Sequence, residues 1–447
     1  MSTLAGTPQQ GSLKRTLTLW DLIFYGMIVI QPTAPMGVYG VVSQEARGHV
    51  VTAILLAMVA MLLTAISYGR MARVYPSAGS AYTYVTGEFG ATAGFVTGWG
   101  IVLDYLLNPL ICVIWCSKAA GNIIPGGLLP YPVWVTLFAG LFTLLNLRGV
   151  EASARTNRTF TLTLTALVVV MMGTMLYYLS GHPPAGWAGY LKPFYDADNF
   201  SWSHVSTGTS IAVLSYIGFD SISTLSEEAL HPRRDILRAT VLTCILAGVI
   251  SSAEVYIAQL IWPDFQHYPD VDTAYTFVAG RAGGAWLFQL VNVGLLAANV
   301  GSGFGAQLGV ARLLFGMGRD RAIPERVFGH VNAKTGVPSY NVLISGLLAW
   351  VGALTITYGF GAELLNFGAF LAFAGVNAAA FRHYAVRQRN WAPGEWLPPA
   401  LGALICLYIW FNLHWQALAA GAIWLAIGMS YRILSRWKSL EKSQKSG

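Results

Sequence analysis

Residues 18–43 read TLWDLIFYGMIVIQPTAPMGVYGVVS. The run is apolar and long enough for a helix that crosses a bilayer, which takes about 20 residues. Its middle, Gln31-Pro32-Thr33-Ala34-Pro35-Met36-Gly37, forbids one smooth helix. Two prolines three apart remove two backbone donors, and their rings crowd the preceding turn. A second apolar run, 206–228, carries a matching defect at SYIGFDS, Ser215 to Ser221, where Gly218 and Asp220 interrupt it. In lipid no water satisfies an unwound backbone, so such breaks must face protein or a cavity. Singly, each break reads as a kink packed against its neighbours. As a pair at matching positions of two halves they point to a buried binding site near the membrane midplane.

The composition outside these runs agrees with a membrane setting. Of 447 residues, 11% are charged and 55% hydrophobic, against roughly 25% charged in an ordinary soluble domain. So few charges cannot solvate the outside of a large core. A soluble enzyme, a disordered chain and a secreted disulfide scaffold are thereby excluded. Cys112, Cys116, Cys244 and Cys406 all fall in apolar stretches without ligand-spaced partners, and read as free core thiols.

Twelve candidate spans follow: 18–43, 50–69, 92–120, 131–147, 157–180, 206–228, 236–262, 285–316, 340–358, 361–381, 397–412 and 416–435. With the N-terminus inside, only Arg47, Lys118, Lys192 and Arg281 of the 27 Lys and Arg fall on the outer side. Positive charge concentrates on the cytoplasmic side of membrane proteins, so the alternation supports twelve spans and two cytoplasmic termini. The net charge of +7 thus records orientation and not a nucleic-acid partner. The expected organisation is a cytoplasmic leader at 1–17, five-helix repeats at 18–180 and 206–381, two extra helices within 397–435 and a cytoplasmic tail at 436–447. The leader shows no short apolar core with a small-residue cleavage site. The segment RMARVYPSAGSAYTYV after the second span is expected to form an interfacial amphipathic helix.

Five segments carry a family likeness: ISYGRMARVYPSAGSAYTY (66–84), GWGIVLDYLLNP (98–109), GFDSISTLSEEALHPRRDILRAT (218–240), ARLLFGMGRDRAIPERVFGHV (311–331) and LLNFGAFLAFAGVN (364–377). In order along nearly the whole chain, they resemble the amino acid–polyamine–organocation permeases, and within them the bacterial putrescine importers. The resemblance implies an all-α membrane protein of the LeuT-type fold, a five-plus-five inverted repeat with broken helices 1 and 6 plus two C-terminal helices. It also implies alternating access and a cargo that is a small amine or an amino acid. A membrane sensor that keeps the fold without transport is the alternative of a different class.

The expected substrate contacts are Gln31, Thr33, Met36 and Gly37 at the first break, and at the second Gly218 and the backbone carbonyls freed at Ser215, Tyr216 and Ile217, with the Tyr216 ring a candidate gate or lining aromatic. Asp104, Asn108, Ile111 and Trp115 share one face of the third span at helical spacing. Asp104-Tyr105 matches an Asp-Tyr pair of the putrescine importers, where the tyrosine is implicated in substrate binding. A carboxylate pairs with an ammonium head, and a ring face offers cation–π contact. The competing reading makes Asp104 part of a structural network.

Asp220 is expected to take a coupling proton, hold a gate or pair with the amine, and Phe219 and Trp115 are gate or lining aromatics. Glu254, the third acid of the membrane interior, reads as a structural bonding partner. Pro35 removes a backbone donor from the place where amino acid carriers of this fold hold a carboxylate, which weakens an α-amino-acid substrate. The fifth span has no lysine, with Leu164 about where proton-coupled relatives place one, and Asn299 and Ser302 offer oxygens suited to sodium or to helix packing. No cofactor, metal, nucleic acid or obligatory protein partner is expected, and a proton is the favoured coupling ion over sodium. GSGFGA (301–306) imitates a dinucleotide fingerprint, but it lies inside an apolar span with no strand before it.

Overall fold

The computed structural model describes residues 15–77, 79–123, 129–148, 154–226, 228–319, 321–332 and 336–445, with backbone alone for 154–158 and 435–445. Most of the predicted leader therefore lies outside the described residues. The described chain is all helical apart from one isolated bridge between Leu17 and Ala229. In order the helices are α1 (Leu19–Ile30), α2 (Ala34–Glu45), α3 (Val50–Val74), α4 (Ser80–Phe89), α5 (Ala91–Ile123), α6 (Tyr131–Leu147) and α7 (Ala154–Gly181). They continue as α8 (Gly186–Leu191), α9 (Trp202–Ala212), α10 (Ser221–Thr224), α11 (Pro232–Ile261), α12 (Ala274–Arg319) and α13 (Glu325–Phe328). The last are α14 (Ser339–Thr355), α15 (Tyr358–Phe381), α16 (Pro393–Phe411) and α17 (Trp415–Lys445).

Each predicted span falls on one of these helices or on a broken pair. Eight helices are long and apolar enough to cross a bilayer: α3, α5, α7, α11, α12, α15, α16 and α17. α1 and α2 together make a ninth, bent by 44° at the first break. α6 and α14 are apolar but have only 17 residues each. The remaining predicted span is divided between α9 and the four-residue α10. Outward-facing leucines and valines, such as Leu343, Leu347 and Val351 of α14 and Val169 and Leu176 of α7, present an apolar perimeter. A soluble protein does not leave that much contiguous apolar surface in water.

Three boundaries differ from the sequence reading. α12 begins at Ala274, within the predicted outer loop, and turns sharply at Gly284 (φ 72°) before its apolar stretch. Gly283-Gly284 and Arg281 end the hydropathy pattern there, although the backbone stays helical on both sides. The polar tail from 436 continues α17 as helix to Lys445. α4 is amphipathic as expected, but its inward side, Ser80, Ala81, Tyr84, Val85 and Glu88, is buried in the protein.

The helices pack as two groups that meet around the breaks. α11 lies along α3 and against α1, while α2 and α3 both pack on α9. α5, the most enclosed span, packs against α12, α15, α14 and α6. Close contact uses glycine: a Cβ on Gly368 of α15 would stand 2.3 Å from the Gly100 carbonyl oxygen of α5. Small residues at helix interfaces are how spans approach closely in a bilayer. The GSGFGA segment serves the same purpose inside α12, since a Cβ on Gly303 would lie 2.3 Å from the Phe142 ring of α6.

The two ends of the bundle are fastened differently. At the basic end the side chain of Glu88 is wholly buried between His383 (2.8 Å) and Arg387 (3.2 Å) of the π-helical turn Arg382–Arg387 after α15. The hydroxyls of Ser80 on α4 and Ser223 on α10 lie 2.6 Å apart. At the opposite end Lys118 pairs with Asp272, and with Asp270 at 3.8 Å. There the backbone N–H of His414 also donates to Glu363 (3.2 Å), whose carboxylate contacts the His414 imidazole as well. Partial burial pulls the His414 pKa down, but the hydrogen bond and charge of Glu363, with Glu45 behind it, prevail and raise it. A raised imidazole pKa stabilises the fold fully below the unfolded value, about 6.5, and that contribution disappears as pH rises through the folded value. The melting temperature in detergent should therefore fall from pH 5.5 to pH 8 in the native protein. Glu363→Gln should flatten this fall, and an unchanged slope would contradict the pairing.

Candidate functional site

The two breaks meet in space. α1 ends at Gln31, whose φ of 69° is a left-handed conformation rare for a side chain of this type, and α2 restarts at Ala34 with Pro35 in its first turn. The second break is one 3-10 turn, Val213–Ser215, followed by non-helical Tyr216 to Asp220. Gly218 has φ 124°, and a Cβ there would lie 2.7 Å from Val29 Cγ1 and 3.1 Å from the Ile30 nitrogen. Glycine is required on both grounds, conformation and space. Around this junction lies a cavity of about 70 Å³ lined from α1 and α2 (Ile30, Gln31, Thr33, Gly37), α5 (Asn108, Ile111, Cys112, Trp115) and the second break (Leu214, Ile217). α12 adds Leu295, Asn299 and Ser302, and Tyr358 comes from the start of α15.

The wall therefore includes Gln31, Thr33, Gly37, Asn108, Trp115 and Ile217 among the predicted contacts. The other candidates lie outside it. Met36 is buried in the core. The Tyr216 hydroxyl is spent on the Ile54 carbonyl of α3 (2.9 Å). Ser215 is buried with its hydroxyl unbonded, and Gly218 fills the contact between the breaks. Phe219 sits in a ring cluster with Tyr68 (5.7 Å) and Phe373 (5.4 Å), joining α3 to α15 beneath the cavity. Asp104 stands one turn nearer the basic end of α5 than Asn108. Asp104, Tyr105 and Asp220 interact electrostatically with one another, and the Gly218 N–H donates to Asp220 Oδ1 (3.3 Å).

The wall is polar but carries no charged side chain. Thr33 Oγ1 and Trp115 Nε1 are buried in it with no hydrogen-bond partner among the described residues. Buried polar atoms left unpaired are costly, so both suit a ligand or water. The start of α2 offers little to an anion. Ala34 N–H is bonded to Gln31 O and Met36 N–H to Thr33 O, both at 3.1 Å, and Pro35 has no N–H at all. At the outer side Tyr358 interacts electrostatically with Asp272, the partner of Lys118. Tyr358, Val29 and Leu295 were not legible as wall residues, because apolar or aromatic side chains on separate helices converge only in the folded bundle. Asn299 and Ser302, read as helix packing or sodium oxygens, line the wall.

With this geometry in place, comparison with known proteins assigns the class: a multi-pass membrane transporter and not an enzyme. The sequence model described as amino acid permease matches residues 21–445, and the chain belongs to that family, within the amino acid–polyamine–organocation superfamily. The low-affinity putrescine importer PlaP of Escherichia coli (strain K12) is 35% identical over 94% of this chain and 93% of its own. The branched-chain amino acid permease BcaP of Bacillus subtilis (strain 168) is 24% identical over 95% and 94%. The vacuolar cationic amino acid transporter 4 of Arabidopsis thaliana is 28% identical over 81% and 62%.

Two substitutions probe the site. Gly218→Ala should destabilise the protein by about 1–3 kcal/mol, the usual cost of a forced backbone conformation, read as a lower melting temperature in detergent. A Cβ on Gly37 meets only ordinary contacts, 3.5 Å to Trp115 Nε1 and 3.8 Å to the Tyr358 hydroxyl. Gly37→Val should keep the melting temperature but narrow the cavity, weakening substrate binding by at least tenfold in a competition assay.

Proposed function

We propose that this protein imports a small organic cation, a diamine such as putrescine, across the cell membrane by alternating access. The observation that carries the reading is the unsatisfied, oxygen-bearing cavity at two helix breaks, with no basic side chain in its wall and no free N–H on the first three residues of α2. An α-amino acid needs donors converging on its carboxylate, and although Trp115 Nε1 is an unbonded donor in the wall, the start of α2 adds none. An ammonium group needs acceptors and a ring face. Thr33, Asn108, Asn299, Ser302 and Tyr358 supply oxygens, and Trp115 supplies the ring. The importer named above, matched along almost its whole length, supports the same cargo.

In this reading one ammonium group rests among the wall oxygens. The paired acids Asp104 and Asp220, toward the basic end, draw the other inward, because a cation relieves the repulsion between two carboxylates. Asp220 also holds the second break through the Gly218 N–H, which suits it to gating. Lys118 with Asp270 and Asp272 forms the outer barrier. The frame is twelve spans with the repeats at 18–180 and 206–381, the extra helices within 397–435 and both termini in the cytoplasm. The two packed helix groups rock against each other, driven by protons in preference to sodium.

The family also carries amino acids, and the engaged donors of α2 are what disfavour them here. Reconstituted in liposomes, the protein should accumulate labelled putrescine, with alanine and glutamate failing to compete. Uptake of alanine with putrescine ignored would overturn the amine reading. No accumulation of any of the three would favour a sensor.

A further inference from the structure

Glu254, in the outer half of α11 and seven residues before its end, has no part in the site above, and the bonding partner expected for it is missing among the described residues. Its side chain is fully buried, and neither carboxylate oxygen has a hydrogen-bond partner among the described residues. The Tyr275 hydroxyl of α12 comes close, but donates to the Glu254 backbone carbonyl (3.3 Å) and not to the carboxylate. An ionised carboxylate with no donor, in a medium of low dielectric, is far less stable than a carboxylic acid. Intramembrane acids in such surroundings mark proton or ion sites.

The neighbouring elements offer no countercharge. α3 from Val50 to Gly69 and α7 from Thr159 to Gly181 contain no charged residue. The titratable groups on this side are Tyr275, which interacts electrostatically with Glu254, and Tyr39 of α2, whose ring meets Tyr275 edge-on at 5.4 Å. Arg281, further along α12, is turned to the Trp262 ring, 5.3 Å away. A polar chain leads outward from Tyr39. Its hydroxyl donates to Gln259 Oε1 (3.2 Å), Ser43 donates to the same oxygen (2.9 Å), and Tyr268 of the outer loop donates to Tyr39 (3.3 Å).

We propose that Glu254 is a proton-binding site inside the membrane, occupied in this conformation, and that its proton exchanges with the outer side to couple transport to the proton gradient. The coupling half rests on the transporter reading. Binding forms one O–H bond on the carboxylate with a proton taken from the outer solution, and release toward the inner solution breaks it. Nothing is oxidised or reduced.

The test uses the full-length protein in liposomes, comparing wild type, Glu254→Gln and Glu254→Asp. At neutral pH the infrared difference between wild type and Glu254→Gln should contain the carbonyl-stretch band of a protonated carboxylic acid; its absence would overturn the proposal. In putrescine uptake, Glu254→Gln should retain exchange of labelled for unlabelled putrescine across the membrane yet lose all stimulation by an inward proton gradient, with Glu254→Asp regaining part of it. Stimulation that survives in Glu254→Gln would equally overturn the proposal. If Glu254→Gln does not fold, the aspartate variant decides by a displaced infrared band, and an undisplaced band counts against the proposal. If the wild type moves no putrescine, the transport reading fails, while the infrared readout still decides whether Glu254 holds a proton.

Discussion

A backbone amide that leaves its helix inside a bilayer has no water to turn to, and the architecture of this protein is organised around two places where that happens. At several kcal/mol for each unsatisfied group, neither break could face lipid. Each is placed against the other, with Gly218 seated on the Val29–Ile30 backbone. The groups left over line one small cavity. Gln31 shows the strain of the arrangement, since a glutamine in a left-handed conformation persists only where its surroundings impose it.

Much of the frame was legible because a bilayer makes hydropathy nearly equivalent to geometry. Eight of the twelve apolar stretches fall on helices long and apolar enough to cross a bilayer and 18–43 on the bent pair α1–α2, while 131–147 and 340–358 fall on the shorter α6 and α14 and 206–228 on α9 and α10. What escaped was helix without hydropathy: the first ten residues of α12, where Arg281 and two glycines end the apolar pattern, and the polar end of α17. Within the site, helical spacing correctly grouped Asn108, Ile111 and Trp115, but it extended the same face to Asp104, one turn past the cavity. Spacing reports a direction around a helix and not a depth along it. The Tyr216 ring, read as a gate or lining aromatic, turns away from the cavity for a related reason, because a residue in an unwound segment has no periodic direction, and only the fold aims its hydroxyl at Ile54.

The three interior acids also turn out to live in different surroundings. Asp104 and Asp220 share an electrostatic neighbourhood with Tyr105 and Tyr25. Glu254 is alone across the bundle, among tyrosines and apolar side chains. A sequence presents all three as carboxyls in apolar spans. The structure separates an electrostatically interacting pair beside the breaks from a single acid with no hydrogen-bond partner among the described residues, a difference that needs no change in residue type.

The short helix α4 is fastened unequally at its two ends. One end is joined to the inner part of the broken span through the hydroxyls of Ser80 and Ser223, 2.6 Å apart, beside the buried Tyr84. The other is riveted to the end of α15 by the buried Glu88 with His383 and Arg387. A neutral hydrogen bond contributes about 1 kcal/mol, whereas parting a buried ion pair costs about 3–5 kcal/mol. Any movement that draws α10 away from α15 will therefore part the serines first and leave α4 riding with α15. Of the two fastenings of α4, the one to α10 is thus the weaker, and the one to the end of α15 the stronger.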